Sequence, residues 1–506
     1  MIDHLLGRRS LLLFISRMLA SAIAFIGLLF MTNYLGRDVY GSVVWTLSLV
    51  ASFNAISDLG FTSAHIKRIS EGKDLDDCVS TYAVIKLTLT GVMVVITLTS
   101  VFLWTDVLGK TLDSSSTDLI LLFILYYVLL DISAIATNTF MAKMEMAKLP
   151  LVTIIDPLVR VPLVVLVSIN LMGMVELALA YVLSALAVTV IALFLLFRDR
   201  IKWRRPTLVR SYYRFALPLA LIAVISVLSG LIDKLLLGSF YSSGDVGLYS
   251  APQVFLGTFA IVSTAVSALT FPSFSKLHAE GKLREIRELT RQAERYIMMV
   301  ALPITILIIM FPEDICVVLY GSDFAGAGEI IGIMAVTNLI LMMNSVDSSQ
   351  IIAVNRPGIS ALITVIVFVV NLGALLVLVP GPAFLGFGLG LSYVGAAIAL
   401  LIGRVVTYVI TRYTVWHLTG TVLDPRLLIQ LVAGAVVIGL LAVLSTMYSI
   451  TTWYWLIAFG FITLGAYIGV LVLLKEFTHR DLRYFLDLAN PKELMGYIRG
   501  ELKGSQ

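Results

Sequence analysis

Ten ionisable residues interrupt stretches of this sequence that are otherwise apolar. Arg17, Lys86, Arg160, Lys234 and Arg404 are basic; Asp58, Asp131, Asp156, Asp233 and Asp347 are acidic. A charged side chain inside a membrane-spanning helix costs a few kcal/mol on insertion scales, so each is a functional candidate by default. The cations can neutralise an anionic ligand, Arg through its planar bidentate fork and Lys as a point charge. The acids serve either as counter-ions for those cations or as sites for a proton or sodium ion. Five against five argues against the net acidic, aromatic-lined pocket that suits an organic cation.

Depth separates the candidates. Arg17 lies about six residues, or roughly 9 Å, beyond the cytoplasmic start of its helix at the α-helical rise. Lys86 is similarly shallow and Arg404 lies in the inner half of its span, so all three can snorkel to the surface. Arg160 is near the middle of the fifth span, with Asp156 four positions earlier on the same face, a spacing that allows an ion pair within the helix. Pro157 and Pro162 flank that pair, and Pro removes backbone hydrogen bonds and kinks helices. Kinked spans often line cavities where the freed carbonyls find water, which favours cavity lining here. Adjacent Asp233 and Lys234 point about 100° apart on a helix, so each needs a partner elsewhere. Asp131 is the deepest acid.

The elements that must hold these residues follow from composition. With 59% hydrophobic and 13% charged residues and a mean hydropathy of +0.98, the chain is far more apolar than a soluble domain. A helix needs about 20 apolar residues to cross a bilayer. The apolar runs give about fourteen transmembrane helices, at 11–35, 41–60, 81–104, 117–140, 150–170, 175–197, 215–240, 248–274, 296–312, 327–352, 358–379, 389–411, 428–447 and 453–474. The fold class is an all-α integral membrane protein with no sizeable soluble domain. The N-terminal run continues to Tyr34 and contains Arg17, which predicts a span rather than a cleavable signal.

Twenty-nine of the 36 Lys and Arg residues fall in connectors on one side of these spans, and only Arg37 and Lys110 on the other. Basic connectors stay cytoplasmic, so both termini are expected in the cytoplasm of a cell whose inner membrane holds the chain. The net charge of +4, spread over loops and mixed with acids, excludes nucleic acid as a partner. The densest basic stretch, 198–214, follows the sixth span; it reads as the connector between two halves and as an orientation and anionic-lipid signal. A faint repeat supports two halves: Gly36-Arg37-Asp38-Val39-Tyr40-Gly41 resembles Gly244-Asp245-Val246-Gly247-Leu248-Tyr249, each in a tight external turn. Internal repeats are a common transporter design.

Two cytoplasmic pieces read as interfacial helices. One carries Leu283, Ile286, Leu289 and Ala293 at helical spacing among basic residues. The other restarts at Asn490-Pro491 with Glu493, a capping-box arrangement. Enzyme signals are weak. Asp74-Leu75-Asp76 matches a metal-binding acid pair only by pattern, and it lies on the cytoplasmic side. The five histidines, His65 among them, sit in loops or tails with no ligand cluster, and there is no Walker A sequence. Cys78 in a loop and Cys316 near the opposite face cannot meet, so neither disulfide, metal nor cofactor is expected.

Two segments carry a resemblance. Tyr34 to Gly41, running to Ser57-Asp58-Leu59-Gly60 and Lys67-Arg68, is similar to the opening of polysaccharide-export flippases of the multidrug/oligosaccharidyl-lipid/polysaccharide exporter superfamily. So is Leu231-Ile232-Asp233-Lys234-Leu235-Leu236-Leu237-Gly238 with Val246 to Ala251. The resemblance implies two pseudo-symmetric six-helix lobes, 1–200 and 201–420, around a V-shaped central cavity. Two further helices at 421–475 and a cytoplasmic interfacial tail at 476–506 complete it. It implies carriage of a lipid-linked oligosaccharide, joined to a polyprenyl pyrophosphate, from the cytoplasmic to the outer leaflet by alternating access.

On that expectation Arg17, Lys86, Arg160, Lys234 and Arg404 form a cationic cavity for the pyrophosphate. The five acids are then counter-ions or coupling sites for H+ or Na+. Membrane lipids and polysaccharide assembly proteins are the implied partners. The alternatives are an organic-cation antiporter or a lipid II flippase of the same superfamily and, from another class, a membrane glycosyltransferase, which the short external connectors disfavour.

Overall fold

The computed structural model describes residues 2–103, 114–145, 148–199, 201–382, 384, 386–448, 450–479, 481 and 482, and among them it contains helices and no strands. In chain order the first eight α-helices are α1 (Ile2–Asn54), α2 (Phe61–Ser70), α3 (Leu75–Phe102), α4 (Ser114–Ala142), α5 (Lys148–Ile169), α6 (Met174–Arg198), α7 (Val209–Ser229) and α8 (Ile232–Phe240). The rest are α9 (Ser243–Ala279), α10 (Leu283–Met310), α11 (Pro312–Tyr320), α12 (Gly328–Ala353), α13 (Pro357–Leu378), α14 (Ser392–Thr419), α15 (Arg426–Ser445) and α16 (Trp453–Leu473).

Twelve helical stretches among the described residues are long and apolar enough to span a bilayer. Large apolar side chains such as Val95, Phe194, Leu217 and Phe461 are exposed on them, the arrangement of a chain whose solvent is lipid. The protein is therefore a multi-pass membrane protein. Helix α1 contains the first expected span and most of the second, and Gly36 breaks it with φ 77° and ψ 177°, a backbone that only glycine adopts without strain. The expected seventh span is built from two pieces, α7 and α8, interrupted after Ser229. At one end of α16 exposed Trp453 and Tyr454 mark a membrane interface, opposite the end leading to Lys475.

The chain divides into two compact units. The first comprises Arg9–Ala251 and Leu375–Ala396; Pro252–Ala374 and the described residues from Ala397 onward make up the bulk of the second. The division does not fall at 200/201, because α7 is packed into the first unit. Tyr212 and Ala216 share a core with Phe61 and Ala64 of α2, Tyr82 of α3, Phe140 of α4 and Leu196 of α6.

The basic connector has structural work in the same unit. Arg204 lies between Asp74, Asp76 and Asp77 at 3.4–3.6 Å, and its backbone N–H donates to Ser80 Oγ. The acid pair expected as a loop pattern is thus the N-terminus of α3, where Asp74 accepts from the Asp77 N–H and carboxylates suit the helix dipole. Cys78 lies in that first helical turn and is fully buried, not in a loop.

The repeated motif has a clear packing role in the first unit. A Cβ on Gly41 would strike the Ser243 carbonyl oxygen, and one on Gly247 would strike the Arg37 carbonyl oxygen. The two resembling turns therefore lie against each other, and their glycines permit the backbone contact. In the second unit the expected surface helix is instead the first part of α10, which runs unbroken to Met310. Its buried stripe is Ile286, Thr290, Glu294 and Ile297, turned away from the expected stripe, so that Leu283 is exposed. Lys110 and the Asn490 cap lie outside the described residues.

Candidate functional site

The sequence candidates are divided between the two units. Four of the five cations belong to the first unit and Arg404, half-buried on α14, belongs to the second. Their surroundings differ sharply.

Lys86 is locked. Its Nζ lies 2.7 Å from Asp131 Oδ1 and donates to Ser57 Oγ at 2.9 Å and to the Ser57 carbonyl at 3.2 Å, which occupies all three ammonium donors. Asp131 also accepts from Ser57 Oγ and, at 2.8 Å, from Thr90 Oγ1. Both charged side chains are 5% exposed. Lys86 therefore has no donor left for a ligand, and Asp131 acts as its counter-ion.

Asp58 is a helix cap. Its Oδ1 accepts from the Thr62 N–H at 3.0 Å and from Thr62 Oγ1 at 2.6 Å, at the start of α2. Leu59 and Gly60 take positive φ values of 44° and 83° to make the turn, which accounts for the Asp58-Leu59-Gly60 motif. Among the described residues no basic side chain pairs with Asp58, and its observed role is to cap the helix. On the same short helix His65 is fully buried, contrary to its expected place in a loop. Its Nδ1 lies 3.0 Å from Tyr212 Oη, its Nε2 3.0 Å from Thr139 Oγ1, and its ring stacks on Tyr82 at 4.2 Å. Burial pushes its pKa down to about 3, so it is a neutral bridge between helices.

Arg160 makes the expected pair with Asp156 at 2.8 Å, and Ser184 Oγ donates to the other Asp156 oxygen. The pair does not close the site. The Arg160 side chain remains 21% exposed, Nε has no partner, and the guanidinium lies 4.8 Å from the centre of the Tyr181 ring. Tyr181 packs edge-on against Tyr126 and Phe123, and Tyr126 against Tyr127. The result is a cation beside an aromatic wall rich in hydroxyls.

Asp233 and Lys234 diverge as their spacing requires. Asp233 is buried and accepts from Tyr249 Oη at 2.6 Å and from the Lys234 N–H. Lys234 is half-buried and reaches only the Gly230 carbonyl, at 3.5 Å. Arg17 is exposed on α1. Neither Arg17 nor Lys234 has a carboxylate partner among the described residues.

The second unit holds two charged centres that sequence reading missed. Asp347 on α12 is fully buried, with Oδ2 3.2 Å from Nε of Arg412 on α14, and Arg412 Nη2 donates to Glu294 of α10. Arg412 and Glu294 were assigned to connectors because they lie beyond the apolar windows. The signal that marks Glu294 is its place on the Ile286, Thr290, Ile297 stripe of α10. Next to it, Arg295 grips the segment after α16, with Nη1 and Nη2 on the two Asp481 oxygens at 2.9 and 2.8 Å and Nε on Glu476 at 2.6 Å. Burial alone would raise the Asp481 pKa, but the bonds from Arg295 and Thr478 outweigh it and hold the carboxyl at about 2.

The family model for the polysaccharide biosynthesis protein matches residues 6–278. The probable low-salt glycan biosynthesis flippase Agl15 of Haloferax volcanii is 23% identical over 407 residues, covering 80% of this chain and 82% of that protein. Stage V sporulation protein B of Bacillus subtilis is 22% identical, with 80% and 82% covered. Among solved structures, the lipid II flippase MurJ in an inward closed conformation superposes with a TM-score of 0.70 at 14% identity, covering 94% of this chain and 99% of that one. An inward-facing multidrug resistance MATE transporter of the MOP superfamily gives 0.61 at 16% identity, covering 79% and 96%. These two superpositions establish the fold.

Proposed function

Because the chain belongs to the polysaccharide biosynthesis protein family, we propose that it is a flippase. It carries an oligosaccharide linked to a polyprenyl (pyro)phosphate from the cytoplasmic to the outer leaflet by alternating access, for assembly of a cell-surface glycan. It is a carrier that makes and breaks no covalent bond. On this reading it lies in the cell membrane with both termini cytoplasmic, a placement that the distribution of Lys and Arg supports. The name of the Haloferax relative and the fold shared with a lipid II flippase support the lipid-linked substrate class.

One observation carries the reading: in the first unit every span acid is committed, whereas of the four cations only Lys86 has all its donors used. Asp58 caps a helix, Asp131 holds Lys86, Asp156 is shared by Arg160 and Ser184, and Asp233 is taken by Tyr249. An organic cation finds no free carboxylate in that set. An anion finds Arg160 with its side chain 21% exposed, Lys234 with one long bond to a carbonyl, and exposed Arg17. A pyrophosphate and a chain of sugar hydroxyls cannot cross hydrocarbon unsolvated, so a carrier must supply such donors. The tyrosines beside Arg160 offer flat faces and hydroxyls to a sugar. The substrate's negative charge is moved outward with help from an inside-negative potential, worth about 2.3 kcal/mol per charge per 100 mV. Lys86 drops out of the cavity set because its donors are used. Arg404, in the second unit, remains a candidate on its depth in the sequence alone.

The test is movement of a pyrophosphate-linked oligosaccharide between leaflets of proteoliposomes. Arg160→Ala and Lys234→Ala are each expected to slow it roughly tenfold, a loss of about 1.4 kcal/mol. Unchanged movement in both variants removes the cationic site. Faster transport of an organic cation than of the lipid-linked sugar removes the flippase reading. Lipid II as a second substrate in the same assay decides which lipid-linked saccharide is preferred.

A further inference from the structure

Helices α10, α12 and α14 of the second unit meet around charges that do not balance. Glu294 and Asp347 are both fully buried, and one guanidinium, that of Arg412, serves both. Arg412 does not lose its proton at any relevant pH. With both acids ionised the cluster holds one surplus negative charge, carried on two fully buried carboxylates. Two further charges act on Glu294, Arg291 of α10 and Asp424 of the connector before α15, and they cancel in count. Tyr408 of α14 completes the ionisable surroundings; its Oη lies 3.3 Å from Arg412 Nη2.

The hydrogen bonds tell the same story from another side. Glu294 Oε2 and both Asp347 oxygens are buried without an aligned donor, and Arg412 Nε and Nη1 have no aligned acceptor. Ionised carboxylates need several donors, and a buried one left without them is costly. The contrast with the neighbouring turn is sharp. There the same helices are joined by Thr290 donating to Gln350 Oε1 at 3.0 Å and Gln350 Nε2 donating to Thr419 Oγ1 at 2.7 Å. That neutral network keeps the helices in register whatever charge the cluster carries.

We propose that Glu294 and Asp347 form a proton-binding site, the two carboxyls together holding one exchangeable proton against Arg412. The step is a simple protonation: a carboxylate oxygen gains an O–H bond, becomes a donor, and the cluster reaches neutrality with no change in oxidation state. A sodium ion suits the place poorly. It needs a shell of several oxygens, and it would sit beside a guanidinium of like charge. Gain or loss of the proton changes how strongly Arg412 draws α10 and α12 together, which makes the site a means of coupling proton movement to transport. That last point rests on the flippase reading; the site itself does not.

The first measurement needs no substrate. Infrared spectra of the full chain in lipid nanodiscs at neutral pH, where exposed carboxyls are ionised, are expected to show a protonated carboxyl band that shifts in D2O. Glu294→Gln and Asp347→Asn should each abolish the band, since either change leaves one carboxylate matched to Arg412; both are close in shape to the native residue and should fold. Glu280→Gln, at an exposed site, should leave it intact. Absence of the band in the native chain, or its persistence in both variants, overturns the proposal while leaving flippase activity untouched. The second measurement imposes a proton gradient on proteoliposomes. Native transport should respond severalfold, and transport by the two variants should not. A response to sodium instead of protons overturns the site. An infrared band without movement of the lipid-linked sugar upholds the site and overturns the flippase reading.

Discussion

Each unit buries a charge cluster, and the two clusters are built on opposite principles. In the first unit Lys86 and Asp131 are matched one to one, and Ser57 and Thr90 supply the remaining partners, so every ammonium donor is used. In the second unit two acids share Arg412, and five of their polar atoms lack an aligned partner. Desolvating an ion pair costs several kcal/mol per ion, and only good geometry with satisfied lone pairs recovers it. The first cluster meets that requirement and reads as a fastener. The second fails it while both acids are charged, and the difference teaches where to look for a group that changes state. Burial alone does not distinguish them, since both are nearly closed to solvent.

The largest expected effect tests the fastener. Lys86→Met strands a buried carboxylate and should cost about 3–5 kcal/mol, seen as a lower thermal unfolding midpoint of the purified protein. Adding Asp131→Leu should recover most of that loss, because an apolar pair of similar volume avoids the desolvation cost. Simple additivity of the two changes would mean that the pair is not a unit. The second unit should show the reverse pattern. Glu294→Gln or Asp347→Asn alone should change stability by less than about 1 kcal/mol, since each leaves a balanced pair. The double variant leaves Arg412 buried without a carboxylate and should lose about 3 kcal/mol. Equal damage from each single change would erase the distinction between the clusters.

Much of this was legible in the sequence, and the parts that were not share a cause. The apolar runs, the break at Gly36, the Asp156–Arg160 pair and the divergence of Asp233 from Lys234 follow from local spacing, which a helix preserves. Lys86 and Asp131 were both singled out, but their pairing depends on how α3 packs against α4, which no local pattern encodes. Glu294 and Arg412 were passed over because hydropathy windows end where charge begins, whereas α10 and α14 continue as helices well past that point. His65 looked like a loop residue for the same reason; the short helix α2 tucks it between α4 and α7. The motif around Asp58 is legible in the sequence, and the packing adds what it builds. The motif residues build a turn and a cap, and a sequence that must turn there is constrained as strongly as one that must bind.

Acid should separate the two units again, each step reporting on a local contact. His65 in the first unit is held neutral, with its pKa down at about 3 against an ordinary value near 6.5. Between those values the unfolded chain binds the extra proton, so stability is whole above about pH 6.5 and declines as pH falls toward 3, at a slope approaching about 1.4 kcal/mol per pH unit. Asp481 in the second unit has its pKa lowered to about 2, so its grip on Arg295 is whole above the ordinary carboxyl value near 4 and is lost only as pH falls from about 4 to about 2. On stepwise acidification, hydrogen exchange should therefore loosen the α2 contacts of the first unit before the segment after α16 is released. His65→Gln should flatten the first phase and leave the second in place. If the segment held by Asp481 loosened first, the bonds from Arg295 and Thr478 would be weaker than their geometry indicates, and the second unit would have no acid-resistant latch.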